Sequence, residues 1–241
     1  MPISELKSTA RYLIRVHTPS VYIISIMFIF LITVMTNLQV NLLGITEIID
    51  SYFEQVASGN IASFLSYISF RPGSILLALA IWILISIVTV GYRSHCLKLL
   101  RDQETDFRDV FNGFFFFGKV LLLHLATRLF VALWSLLLVF PGLAAEYSYR
   151  LAYYILLDDP GKGVMQCIRE SKQLMHGWKL ELFYLDLSFL GWDLLDTAVT
   201  VMLSYIVPIS LPIVLIWLTP YTHLANAAFY NHLRSNPVLL S

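Results

Sequence analysis

An all-α, polytopic transmembrane helix bundle of about six spans, with interfacial amphipathic helices, is the fold this sequence predicts. Three observations lead there. Of the 241 residues, 58% are hydrophobic and only 13% charged, with mean hydropathy +0.72; a soluble domain carries roughly a quarter charged residues. The apolar residues are gathered into runs long enough, at about 20 residues, to cross ~30 Å of hydrocarbon. Lysine and arginine are confined to alternate connections between those runs, the asymmetry that orients membrane proteins.

The runs define the elements in order. Residues 19–38 form a first span and 73–92 a second. Residues 119–140 make a third, interrupted by His124 and Arg128; 142–157 is a short fourth and 180–207 a long fifth. Residues 211–230 make a sixth, bent at Pro220, where the ring and the missing N–H break the helical ladder. The whole of 1–241 thus reads as a single integral membrane domain. Lys7, Arg11 and Arg15 precede the first span. Arg93, Lys98, Arg101, Arg108 and Lys119 lie between the second and third, and Lys162, Arg169, Lys172 and Lys179 between the fourth and fifth. Arg234 follows the sixth, while the opposite loops hold only Arg71. This bias favours both termini on the cytoplasmic side. It also supports a crossing by 142–157; the alternative is a re-entrant or interfacial segment, because 16 residues are short for a span.

The apolar run from Val21 to Val34 follows a basic segment, continues too long for a removable leader and lacks a small-residue cleavage pattern, so an uncleaved signal-anchor is expected. Cys96 and Cys167 both fall on the cytoplasmic side, which implies no disulfide framework. Three segments flank the spans. Ile3 to Val16 sets Ile3, Leu6, Leu13 and Val16 against Lys7, Arg11 and Arg15, a basic amphipathic helix suited to the anionic inner leaflet. In the outer loop, ITEIIDSYFEQVA places Ile45, Ile48, Ile49, Tyr52, Phe53 and Val56 opposite Glu47, Asp50 and Glu54. The third segment is a cytoplasmic helix from Lys162 to His176. Asp159 is its expected N-cap, Pro160 its first position and Gly177 the residue past its end. The aromatic run Phe114–Phe117 suits headgroup depth before the third span.

The opening ISELKSTAR, the loop GYRSHCLKLLRDQETDFRDVFNGF and the block ILLDDPGKG…SKQLMHGWKLELFYLDLSFLGW resemble domain-of-unknown-function family 975, as does the closing WLTPYTHLANAAFYNHL. The resemblance implies a multi-span bacterial inner-membrane protein without an assigned activity. The stretch Asp193-Leu194-Leu195-Asp196 departs from the family pattern, which is mostly apolar or small there.

Charges at membrane depth cost about 2.5–3.5 kcal/mol each on insertion scales and usually face the bundle interior. The candidates are Arg128, Glu146, Arg150, Asp186, Asp193 and Asp196. Glu146 and Arg150 are four apart with the acid first, the favourable order on one helix face. Asp186 and Asp193, seven apart, share a face with Asp196 close by, so an acidic stripe meets arginines from other helices in an intramembrane polar network. That network either fixes helix packing or lines a path for a proton, a cation or a polar headgroup; Pro208, Pro212 and Pro220 suit the path.

No catalytic residue, metal site or cofactor is expected. Pro160–Gly163 lacks the phosphate-loop spacing, the six histidines show no zinc pattern, and no serine sits in a GxSxG elbow. Neither the net charge nor any basic cluster points to nucleic acid, so none is expected as a partner. Beyond the lipid bilayer, the expected role is a non-enzymatic accessory protein. It would bind a cytoplasmic or membrane protein at residues 93–119 and at the elbow carrying Lys162, Arg169, Lys172 and Lys179. The alternative is a transporter or channel-like protein for a small solute or lipid headgroup, working through the intramembrane charges. A water-accessible cavity reaching the aspartates favours transport; a dry interior with every charge paired favours scaffolding.

Overall fold

The computed structural model describes residues 3–58, 72–204 and 212–235. Arg71, Pro208 and the turn between the fifth and sixth expected spans lie outside them. The chain is all-α, with no strand among the described residues. It begins with α1 Ile3–Val16, α2 Ser20–Leu43, α3 Ile45–Ser58 and α4 Pro72–Leu100, then a 3₁₀ helix, Phe107–Phe116. There follow α5 Phe117–Leu137, α6 Val139–Tyr149, α7 Ala152–Asp158, α8 Val164–Leu174, α9 Lys179–Ser204 and α10 Leu215–Ser235. Three stretches are long and apolar enough to cross a membrane: Ser20–Leu43, Gly73–Leu100 and Phe107–Leu137. Two compact units emerge, Phe30–Ser86 and a larger one made of Met1–Ile29 with Ile87–Ser241.

In the smaller unit the chain leaves α2 through Gly44, whose φ of +62° suits a residue without a side chain. The amphipathic α3 follows directly, as its spacing predicts. Gln39 Nε2 donates to the Ala78 carbonyl at 3.2 Å, tying α2 to α4 inside this unit. Phe30, Val34, Leu38, Leu76 and Leu77 point outward. Apolar side chains exposed in such continuous faces suit lipid rather than water.

The larger unit holds the candidate intramembrane charges. Its core includes Phe28 stacked on Tyr92 at 4.1 Å, with His223 edge-on to Tyr92 at 4.9 Å and Ser25 Oγ 2.7 Å from the Tyr92 hydroxyl. The 3₁₀ helix starts from a reciprocal cap between Asp106 and Asp109. It lies against α4 backbone to backbone: a Cβ on Gly91 would fall on the Val110 carbonyl, and one on Gly113 on the Ile87 carbonyl. Lys98 reaches across from α4 to Asp109 at 2.5 Å.

Three expectations need correction here. First, α1 does not only lie on a leaflet. It buries Leu6, Ala10 and Ile14 against protein, packing on α10 and α9, with Lys7 Nζ 4.5 Å from the Phe189 ring centroid. Ala10, small and easily overlooked in an apolar stripe, is what lets that helix come close. Second, the fourth segment is not one helix. Helix α6 ends at Tyr149 and α7 begins at Ala152, so the stretch consists of helices of 11 and 7 residues with Arg150 and Leu151 at the break. Third, α8 starts at Val164 behind Gly163, not behind Asp159. The Asp159 carboxylate instead accepts from Gly161 N–H at 3.0 Å, a local turn that competes with helix initiation. The helix also ends at Leu174 and not at His176, so Gly177, at φ +83°, follows the cap at Met175 instead of directly closing the helix.

Candidate functional site: a charged cavity among four helices

Helices α4, α7, α9 and α10 line a partly open cavity of about 390 Å³. Its wall includes Thr89 and Arg93 from α4, and Asp186, Phe189 and Asp193 from α9. Arg150 comes from the α6–α7 break, Tyr154 from α7, and Thr222, His223 and Asn226 from α10. The spacing is helical throughout: Thr89 and Arg93, then Thr222 and Asn226, are one turn apart, and Asp186 and Asp193 two turns. These positions form polar stripes on largely apolar helices, and the stripes meet at the cavity. Arg93 lies seven residues before the end of α4 and Asp186 seven after the start of α9. At 1.5 Å per residue, both sit ~10 Å along the axis from the basic ends of their helices.

The charges are not equivalent. Arg150 binds Asp186 with both guanidinium nitrogens, and the Tyr147 hydroxyl donates to the same carboxylate at 3.0 Å. Paired and two-pronged, this ion pair is spent. Arg93 is not: its guanidinium lies 4.9 and 5.9 Å from the rings of Tyr153 and Tyr154, and among the described residues no carboxylate comes within ion-pair distance. Nor does any described cation pair with Asp193. The cavity therefore carries one free positive and one free negative group beside a closed pair.

The remaining expected members lie elsewhere. Arg128 pairs with Glu146 at 3.4 Å, both largely exposed on α5 and α6. Glu146 and Arg150 do not pair with each other as their spacing suggests, because the helix stops between them and Arg150 turns to α9. Asp196 meets no arginine; its carboxylate accepts from Val214 and Leu215 N–H at 2.9 and 3.2 Å. An anion satisfies the orphan donors at a helix start, so Asp196 caps α10 from a distance.

The cytoplasmic elbow is held from within. Lys162 and Glu170 pair at 2.5 Å, and Gln166 donates to the same carboxylate at 3.0 Å. Burial alone would raise the Glu170 pKa, but these partners outweigh it and hold it below the usual range. Arg169 and Lys172 are exposed and Lys179 half-buried. Sequence reasoning passed over the strongest junction, at Asp158. Its buried carboxylate receives Arg101 at 2.7 and 3.1 Å, Tyr230 at 2.7 Å and Arg234 at 3.2 Å. Burial pushes the Asp158 pKa up, yet the two guanidiniums and the phenol leave it lowered. The ends of α4, α7 and α10 are thus joined at one carboxylate.

Among the described residues no group of histidine, cysteine, aspartate and glutamate is arranged to hold a metal. Neither the curated proteins nor the solved structures contain a match to this chain. A family model, described as protein of unknown function DUF975, matches residues 136–237, a stretch that runs from the end of α5 through α10 and supplies every cavity residue except Thr89 and Arg93. The match covers less than half of the chain and agrees there with the resemblance read from the residues: residues 136–237 are similar to the DUF975 family.

Proposed function

We propose that this chain is a multi-pass protein of the bacterial cytoplasmic membrane, non-enzymatic and with both termini in the cytoplasm. On this reading its charged cavity binds, and lets pass, a small solute or lipid headgroup. The observation that supports it is the cavity of about 390 Å³ reaching Asp186 and Asp193, with Arg93 and Asp193 left unmatched. A charge buried in hydrocarbon without a partner is costly. Arg93 is half-buried and Asp193 exposed where it lines the cavity, and an ionisable group at membrane depth with no ion-pair partner points to a polar path. The volume falls at the low end of ligand pockets, roughly 300–1,000 Å³, enough for a headgroup and too small for acyl chains. Partner binding at the elbow draws less support, since Lys162 is already paired and only Arg169 and Lys172 stand exposed.

Thiol labelling in whole cells and inverted vesicles tests this. Cys96 and Cys167 are buried and give little background. Thr222→Cys, facing the cavity, should react with a charged, membrane-impermeant methanethiosulfonate from the cytoplasmic side. Leu194→Cys, on the outward face of α9, should not. Equal silence at both positions would indicate a dry interior and return the charges to a scaffolding role.

A further inference from the structure

We infer that the cavity takes a zwitterion of headgroup size, its phosphate on Arg93 and its primary ammonium on Asp193. This rests on the cavity being a binding site and goes further by naming the ligand class. The four formal charges of the wall sum to zero, two arginines against two aspartates. Arg150 and Asp186 neutralise each other, which leaves one unit of each sign on different helices, α4 and α9. A simple anion on Arg93 would leave Asp193 unmatched, and a simple cation on Asp193 would leave Arg93 so. Only a ligand with both charges settles both debts in a low-dielectric site. The guanidinium of Arg93, 4.9 and 5.9 Å from the ring centroids of Tyr153 and Tyr154, keeps its planar N–H fork for two oxygens of one group, the geometry phosphate favours. Asp193 is an acceptor only, and a primary ammonium offers it donors. Such zwitterions reach the site either as phosphoethanolamine lipids of the surrounding leaflet or as free phosphoethanolamine esters.

Native mass spectrometry of the full-length protein in maltoside micelles distinguishes these. Phosphatidylethanolamine, phosphatidylglycerol and water-soluble glycerophosphoethanolamine are added in separate titrations. Wild type should bind phosphatidylethanolamine at least fivefold more tightly than phosphatidylglycerol. Asp193→Asn should erase that preference, and Arg93→Gln should weaken both lipids. Arg93→Lys keeps the charge without the fork, and should fall between wild type and Arg93→Gln. Displacement of the lipid by glycerophosphoethanolamine assigns the site to a free solute, and failure to displace assigns it to the lipid; either supports the zwitterion. Equal binding of the two lipids by wild type, or a preference that survives Asp193→Asn, overturns the zwitterion while leaving the cavity a phosphate site. Binding of no phosphate ligand overturns both.

Discussion

Replacing Asp158 by asparagine removes one negative charge from a place where three donors converge. The carboxylate is 7% exposed, while the arginines that grip it remain open to water, Arg101 at 30% and Arg234 at 39%. A buried acid of this kind receives hydrogen bonds to a charged group worth about 1.5–3 kcal/mol each, and Arg101 contributes two of them in the bidentate form. The guanidiniums recover part of that loss by hydration once released. Breaking a fully buried pair costs roughly 3–5 kcal/mol, so with arginines about a third exposed the expected loss is about 2–4 kcal/mol. On the scaling for chains of this size that corresponds to an apparent Tm lower by roughly 5–12 °C. Thermal unfolding of purified protein in one detergent, at one scan rate, measures it. Asp159→Asn is the control: an asparagine oxygen still accepts from Gly161 N–H, and its Tm should stay within about 1 °C. Acid should act in the same direction. The folded pKa of Asp158 is lowered, so its stabilisation is complete above the ordinary aspartate range and disappears as pH falls through the lowered value. A Tm for Asp158→Asn equal to that of the Asp159→Asn control would refute the junction.

Three further sets of substitutions probe other parts of the bundle. Gly91→Ala drives a methyl group into the Val110 carbonyl and should cost about 1–3 kcal/mol by overpacking, read as a lower Tm; an unchanged Tm would mean that the 3₁₀ helix does not press on α4. Asp186→Asn and Arg150→Gln should each destabilise by roughly 2–4 kcal/mol. The double variant Arg150→Met/Asp186→Leu should recover most of that loss in the same melt, unless the pair also serves the ligand directly. Asp196→Ala should cost about 1–2 kcal/mol by uncapping α10, and Asp196→Asn much less. Equal losses from the two would deny the capping role.

Much of the fold was legible because apolar runs and amphipathic periods report directly on local burial. Helix α1 has the bounds its pattern predicts, and α3 follows from the alternation of isoleucine with acid. The break at Arg150 was not legible. Nothing in Ser148–Tyr153 is a helix breaker, and the helix yields there to tertiary demand: Arg150 and Tyr147 both engage Asp186. The three candidate carboxylates of α9 fall at nearly one helical face, yet each meets a different neighbour: an arginine, the cavity and a helix start. Periodicity assigns a face and cannot assign the partner across it. Arg93 shows the converse. Counted among the basic loop residues, it served the topology argument, whereas α4 runs on to Leu100 and carries it into the cavity wall. Thr89 with Arg93, and Thr222 with Asn226, one turn apart in apolar helices, were the available signal.

Electron paramagnetic resonance of a nitroxide at Thr222→Cys, in protein reconstituted into liposomes, measures the environment of the cavity directly. Collisions with a water-soluble nickel chelate should exceed those at a nitroxide on Leu194→Cys, and oxygen, which concentrates in acyl chains, should show the reverse order. Strong oxygen contact and weak nickel contact at both positions would mean that lipid or packed side chains, and not water, surround the free charges.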